Sequence, residues 1–252
     1  MRKIFINQLT ELGKKNKKLF FLTGDLGFNV VEPFQNKFPK RFFNVGVAEQ
    51  NMVGVAAGLA SEGLQVFIYS IANFPTFRCA EQIRNDIDYH NLPVTIVSVG
   101  SGVGYGSLGY SHHALQDYAL MRIFPNMLIF SPGNNNEVIS CLKYITKNPQ
   151  PSYLRLDKDE VLSKVSKKKI IIKPGKIYNI LKGLSNKIIL TTGNTQDIGI
   201  QMSKNKYKGF SVCSIPAWGM KFKKNFIKSI KNISTIVTVE DHFYDGGFGS
   251  WV

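Results

Sequence analysis

The feature that most restricts this chain is a regular alternation of short apolar runs with helix-length stretches. LFFLTGD (19–25), RFFNVGV (41–47), QVFIYS (65–70), PVTIVSVG (93–100), NMLIFSPG (126–133) and SYLRLD (152–157) all have strand length. Between them lie AEQNMVGVAAGLASEG (48–63), rich in small residues and closed by Gly63, and helical stretches over roughly 75–90 and 134–147. Strands without polar alternation are buried on both faces. Strands of that kind separated by helices form a doubly wound parallel sheet. This pattern holds over 1–157. The charged stretch KDEVLSKVSKKKIIIKPGK (158–176) reads as a linker. A smaller α/β unit is expected over 177–252, from KIILTTG (187–193), a helix over 195–205, FSVCSIP (210–216), a helix over 222–231 and STIVTVED (234–241). It ends in GGFGSWV, where a glycine-rich turn after a strand should open a helix, so this unit reads as cut short.

Composition narrows the function classes. Of 252 residues, 44% are hydrophobic and 12% aromatic, enough for a substantial core and against disorder. No apolar run approaches the roughly 20 residues that span a bilayer. The start, MRKIFINQLTELGKKNKK, lacks the apolar centre and small-residue site of a signal peptide. Cys79, Cys141 and Cys213 are odd in number and scattered, which fits small buried side chains in a reduced, cytoplasmic compartment. The net charge of +15 comes from dispersed lysines without a nucleic-acid signature. They read as solvated lysines first and as a match for an acidic partner subunit second, with neither nucleic acid nor membrane as the target.

The segment GVAEQNMVGVAAGLASEG carries the chemistry. Glu49 falls where a strand gives way to a helix, at the carboxyl end of a parallel sheet where ligands bind. A carboxylate there suits the helix dipole, and Gly54, Ala56, Ala57, Gly58 and Ala60 allow close backbone approach. From the residues alone an ordinary carboxylate opening a buried helix remains the plainer reading.

GVAEQ (46–50) resembles the catalytic-glutamate segment of the transketolase and deoxyxylulose-phosphate-synthase family. TGDLG (23–27), FPTFRCAEQIRND (74–86), GSLGYSHHALQDYALMR (106–122), FSPGNNNEV (130–138) and VEDHFYDGGFG (239–249) resemble further family segments in the same order. The resemblance implies a pyrimidine-binding domain followed by a transketolase-type C-terminal domain. It also implies thiamine diphosphate, held across an interface between two domains. Glu49 would hydrogen-bond the aminopyrimidine ring nitrogen and favour the imino form. Phe74 would stack on the pyrimidine with support from Phe77, and Ile71 stands where many relatives carry another Phe. Asp25 matches an acidic position near the subunit interface and the cofactor. His112 aligns with the histidine facing the reacting carbons, with His113 beside it, and Lys158 lies near a position used for substrate phosphate. Asp117 is either a brace for the histidine loop or a helix N-cap, and His242 is expected at the domain interface.

The family's Gly-Asp-Gly diphosphate motif does not occur in this sequence. The resemblance therefore implies a separate partner subunit supplying diphosphate contacts and Mg2+ ligands, two copies of each chain in a heterotetramer, and no metal ligand here. Leu108 replaces an Asp that binds a donor hydroxyl, and Gly100 departs from a family histidine, so the expected two-carbon ketol transfer has an open sugar or sugar-phosphate substrate. A β-subunit of a 2-oxoacid dehydrogenase shares the two-domain layout, but GVAEQ and the SHH loop favour the transketolase side. A non-catalytic scaffold or regulatory subunit is the third alternative.

Overall fold

The computed structural model describes residues 1–158 and 170–252, so most of the expected linker, 159–169, lies outside the described residues. Six of the apolar runs form β1 (Leu19–Thr23), β2 (Phe42–Asn44), β3 (Gln65–Ile71), β4 (Val94–Val99), β5 (Leu128–Phe130) and β6 (Ser152–Leu156). Four further strands follow in the chain's second part: β7 (Tyr178–Leu181), β8 (Lys187–Thr191), β9 (Ser211–Ser214) and β10 (Ala217–Trp218), then β11 (Thr235–Val239) closes the series.

The larger sheet has seven strands in the order β10-β5-β6-β4-β3-β1-β2. It is parallel throughout except for β10, which runs antiparallel to β5. The smaller sheet has the order β11-β8-β9-β7, with β7 antiparallel to β9 and the other pairs parallel. The period-two geometry of a strand sends alternate side chains to opposite faces. Along β3, Val66 and Ile68 join one apolar cluster while Phe67 and Tyr69 join another, so both faces of the larger sheet are covered. The first cluster continues through Trp218, Phe226, Phe248 and Trp251 and reaches Ile188 and Leu190 of the smaller sheet. Each such side chain, fully buried, contributes roughly 1.5–3 kcal/mol, so the two units are held together by apolar packing.

Three features differ from the sequence reading. The N-terminal stretch is a helix, Arg2–Lys15, docked through Phe5, Ile6 and Leu9 at one-face spacing. The helix expected over 75–90 is broken into Asn73–Phe77, Ala80–Gln82 and a π-helical turn Ile83–Asp88, because Cys79 between the first two leaves helical geometry at φ −113°. The edge strand β7 and the crossing of β10 into the larger sheet follow from the chain path, and neither has an apolar run of its own to announce it. No helix among the described residues is long and apolar enough to cross a membrane.

Candidate active site

The site is built at the carboxyl ends of β1, β2, β3, β4 and β6. After β2 the chain turns at Gly46, whose φ of +75° favours glycine, and enters the helix Glu49–Ser61. Ala48, the cap residue, offers no side-chain acceptor, so Glu49 is the acidic group in the first turn, where the helix dipole favours it. Its side chain is only 3% exposed. One carboxylate oxygen, Oε2, accepts a hydrogen bond from Arg78 Nη1 at 2.9 Å. The other, Oε1, is buried and has no partner among the described residues. A buried carboxylate oxygen without a donor is costly, so an unpaired one marks a place where a donor belongs.

From Glu49 a continuous row of side chains crosses the sheet edge. The Arg78 guanidinium lies over the Phe74 ring, 4.2 Å from its centroid. The His112 ring meets Phe74 edge-on at 5.1 Å and Tyr105 at 6.0 Å. Lys158 Nζ stands 5.2 Å from the centre of the Tyr105 ring. Arg78 also divides the surface. On the Glu49 side is a cleft of about 440 Å³ lined by Val47, Ala48, Glu49, Gln50, Asn51 and Arg78. On the other is one of about 340 Å³ bounded by Asn73, Phe74, Phe77, Tyr110, Ser111 and Gln116. At the far end of the row Lys158 shares a cavity of about 470 Å³ with Arg2, Lys3, Phe28 and Asn29. Among the described residues its lining carries three basic side chains and no acid. Burial, the proximity of Glu49 and, against them, Arg78 act on the neighbouring Cys79 thiol, which is pushed up to about 12.

The structure thus brings Glu49, Phe74, His112 and Lys158 into one row, with Phe77 half exposed on the wall of the middle cleft. His113 sits one step behind: its Nε2 is 2.9 Å from the Gly106 carbonyl, and its own carbonyl accepts from Asn73. Ile71 ends β3, paired with Val99. Asp25 occupies the left-handed region at φ 56° and exchanges hydrogen bonds with Asn44, both at 2.9 Å, which braces the approach to Gly46 and Glu49. Asp117 requires a correction: it is not a helix N-cap. Gln116 holds that position without a side-chain cap, while Asp117 is fully buried against Arg155 Nε at 2.7 Å. A buried guanidinium demands an anionic partner more strongly than a helix end demands a cap. His242 stacks on Tyr118 at 5.3 Å and gives its Nδ1 to the Phe243 carbonyl. Arg78, Tyr105, Asn73 and Arg2 were missed. Arg78 had a signal, since it lies four residues after Phe74 and therefore on the same helical face.

A larger cavity, about 630 Å³ between Arg84, Asp88, His90 and Asn126, precedes β4 and β5 and so lies at the opposite edge of the sheet. Its Asp88 is raised by burial and spent on Asn126. No group of three or more His, Cys, Asp or Glu that could hold a metal ion occurs among the described residues.

Comparison with known proteins agrees with this fold. The family model described as "Transketolase, pyrimidine binding domain" matches residues 1–163. A protein of Methanocaldococcus jannaschii described as "Putative transketolase C-terminal section" is 35% identical over 256 residues, covering 100% of this chain and 80% of its own. One of the subunits of the apulose-4-phosphate transketolase of Phocaeicola vulgatus is 31% identical, with 100% and 81% covered. The 1-deoxy-D-xylulose-5-phosphate synthase of Halothermothrix orenii is 30% identical over 98% of this chain, which spans 39% of that longer protein. Among solved structures, one described as "Split gene transketolase, inactive beta4 tetramer" superposes with a TM-score of 0.85 at 32% identity, covering 99% of this chain and 82% of that one. The transketolase of Leishmania mexicana shares the fold, with a TM-score of 0.79 at 19% identity over 96% of this chain and 38% of that one.

Proposed function

Since the chain belongs to the transketolase family, we propose that it is the aminopyrimidine-binding subunit of a split, thiamine-diphosphate-dependent enzyme transferring a two-carbon ketol unit between sugar-type substrates. One observation carries the reading: Glu49 is buried at the mouth of a cleft with Oε2 held by Arg78 and Oε1 free of any donor among the described residues. That is the arrangement a carboxyl group needs to share a proton with a ring nitrogen entering the cleft. The half-buried Phe74 ring beside it offers a flat apolar face for a heteroaromatic ring. These residues fit the pyrimidine end of thiamine diphosphate. When bound, that cofactor supplies an electron sink for carbon–carbon bond cleavage and formation.

In this reading Glu49 holds the proton at Oε1, and Arg78 keeps the carboxylate from rotating. His112, against Phe74 and Tyr105, faces the reacting carbons and moves protons on substrate oxygens. Lys158, Arg2 and Lys3 surround a basic cavity whose charge suits a phosphate at the far end of the substrate. The relatives named for apulose-4-phosphate and deoxyxylulose-5-phosphate support a phosphorylated substrate. Diphosphate and Mg2+ contacts come from a partner chain, a reading supported by relatives that are themselves described as a single subunit or as a C-terminal section of a transketolase. The helix Glu49–Ser61 offers that partner a smooth face, since a Cβ added at Gly54 or Gly58 would meet nothing. We place two copies of each chain in the active assembly. Three buried free thiols suit a reducing, cytoplasmic setting.

The test is Glu49→Gln in the pair reconstituted with its diphosphate-binding partner. Turnover should fall about 10²–10⁴-fold while assembly, followed by gel filtration, stays intact. Near-normal turnover would remove Glu49 from the chemistry.

A further inference from the structure

The loop that carries His112 and His113 is tied to the C-terminal unit through one buried arginine, and we propose that Arg155 and Asp241 are positioning residues that set where this loop stands. The second α/β unit would thereby shape the site without touching substrate. The proposal depends on the function given above only for its kinetic consequence.

Arg155, in β6, is fully buried and uses its whole guanidinium. Nε donates to Asp117 Oδ2 at 2.7 Å, Nη1 to Asp241 Oδ1 at 2.5 Å, and Nη2 to the Ala114 carbonyl at 2.7 Å. Burial alone would lower the Arg155 pKa, but the Asp117 and Asp241 carboxylates outweigh it and raise it, so the charge is permanent. Ala114 is where the loop closes, because its N–H returns to the Gly102 carbonyl at 2.7 Å. The Asp241 carboxylate packs against that same point: a Cβ built on Gly102 would stand 2.6 Å from Asp241 Oδ2. Phe243, two residues on, donates its N–H to the Leu115 carbonyl at 3.0 Å. The C-terminal unit therefore grips both sides of the loop's closing point. Asn73 holds the turn just before that point, its Nδ2 donating to the Ser111 carbonyl at 3.4 Å and to the His113 carbonyl. Between these two clamps His112 has only Ser111 Oγ at 3.0 Å and the rings of Phe74 and Tyr105 among the described residues. The backbone held by the clamps decides where its imidazole stands.

Plain adhesion does not require this network. Trp218, Phe248 and Trp251 already join the two units by apolar packing. What the arginine adds is a directed grip on main-chain acceptors of one loop, and a shift of about 1 Å in such a loop is enough to cost a large factor in rate.

Amide exchange on the full-length chain tests the link without reference to catalysis. Asp241→Asn keeps an acceptor and loses the charge, whereas Asp241→Ala removes both. Exchange over 102–114 should rise about threefold in the first and at least about tenfold in the second, with β4 and β8 unchanged as internal references. Wild-type exchange over 102–114 in both folded variants would overturn the proposal. If Asp241→Ala does not fold, Asp241→Asn decides alone, with a rise under about twofold counting against. In the reconstituted pair Asp241→Asn should lower kcat about tenfold and leave the KM for thiamine diphosphate unchanged, a split that general destabilisation would not produce. A wild-type pair with no thiamine-dependent turnover would defeat the proposed function while leaving the exchange result to stand by itself.

Discussion

Two arginine–carboxylate sites in this molecule use the same chemistry to opposite ends. At Arg155 the guanidinium is saturated: it is wholly buried, two carboxylates flank it, and its remaining N–H groups meet carbonyls and the Tyr118 hydroxyl, while the one oxygen left without a donor among the described residues, Asp241 Oδ2, is packed against Gly102. At Glu49 the pair is left open. The carboxylate is 3% exposed, its arginine is 49% exposed, and one oxygen has no donor among the described residues. A guanidinium with every donor used has nothing left for a ligand and serves geometry. A carboxylate oxygen left unpaired at the mouth of a cleft carries a desolvation cost that a ligand can relieve. Burial of charge alone does not mark a site; an unfilled position in the hydrogen bonding that opens on a cleft, as at Glu49, does.

Four measurements put that contrast at risk, and the widest effect is expected at the open pair. Glu49→Gln should cost the reconstituted enzyme about 10²–10⁴-fold in turnover yet move the urea unfolding free energy of the chain by less than about 1 kcal/mol. Unfolding on a scale comparable to the rate loss would mean that Glu49 is structural. Next comes Arg155→Met, which leaves Asp117 and Asp241 without a counter-charge and should destabilise by about 3–5 kcal/mol. If its denaturation midpoint stays put, the saturated network is not what holds Asp117 and Asp241 in the interior.

A third buried carboxylate tests the same logic with a proton in place of an arginine. Glu137 accepts from Gly133 N, Ser214 Oγ and Gln196 Nε2, with no cation among those donors. Burial lifts it to about 6 from 4.5, with those hydrogen bonds acting against the shift. A folded-state pKa above the unfolded value means that its contribution is full below about pH 4.5 and is lost as pH rises through about 6, for a total of about 2 kcal/mol. The wild-type minus Glu137→Gln difference in unfolding free energy should decline over that window, and a flat difference would contradict the assignment. The smallest effect is reserved for Arg78→Ala. With half its side chain in solvent, its removal should cost at most about 1 kcal/mol of stability, while freeing the Glu49 carboxyl to rotate should lower turnover about tenfold. Unchanged turnover would show that Arg78 does not orient Glu49.

What could be read from the order of residues is local and repetitive. Six mostly apolar runs specify parallel strands because such side chains seek a covered face, and all six are strands of the larger sheet, although β2, at its edge, leaves Phe43 exposed. Glu49 at the end of one run, and the glycine–histidine loop after another, are placed at the carboxyl edge by chain order alone. Partnership had to wait for the folded chain. Arg78 reaches Glu49 across 29 residues and Arg155 reaches Asp241 across 86. The choice depends on where the sheet returns the chain, since a charge in sequence is equally suited to any opposite charge. The same holds for β10, a two-residue strand with no pattern of its own, which the C-terminal unit lends to the larger sheet. Periodicity is written along the chain because each residue reports its own environment. A contact between distant residues belongs to the path between them, and that path exists only once the core has closed.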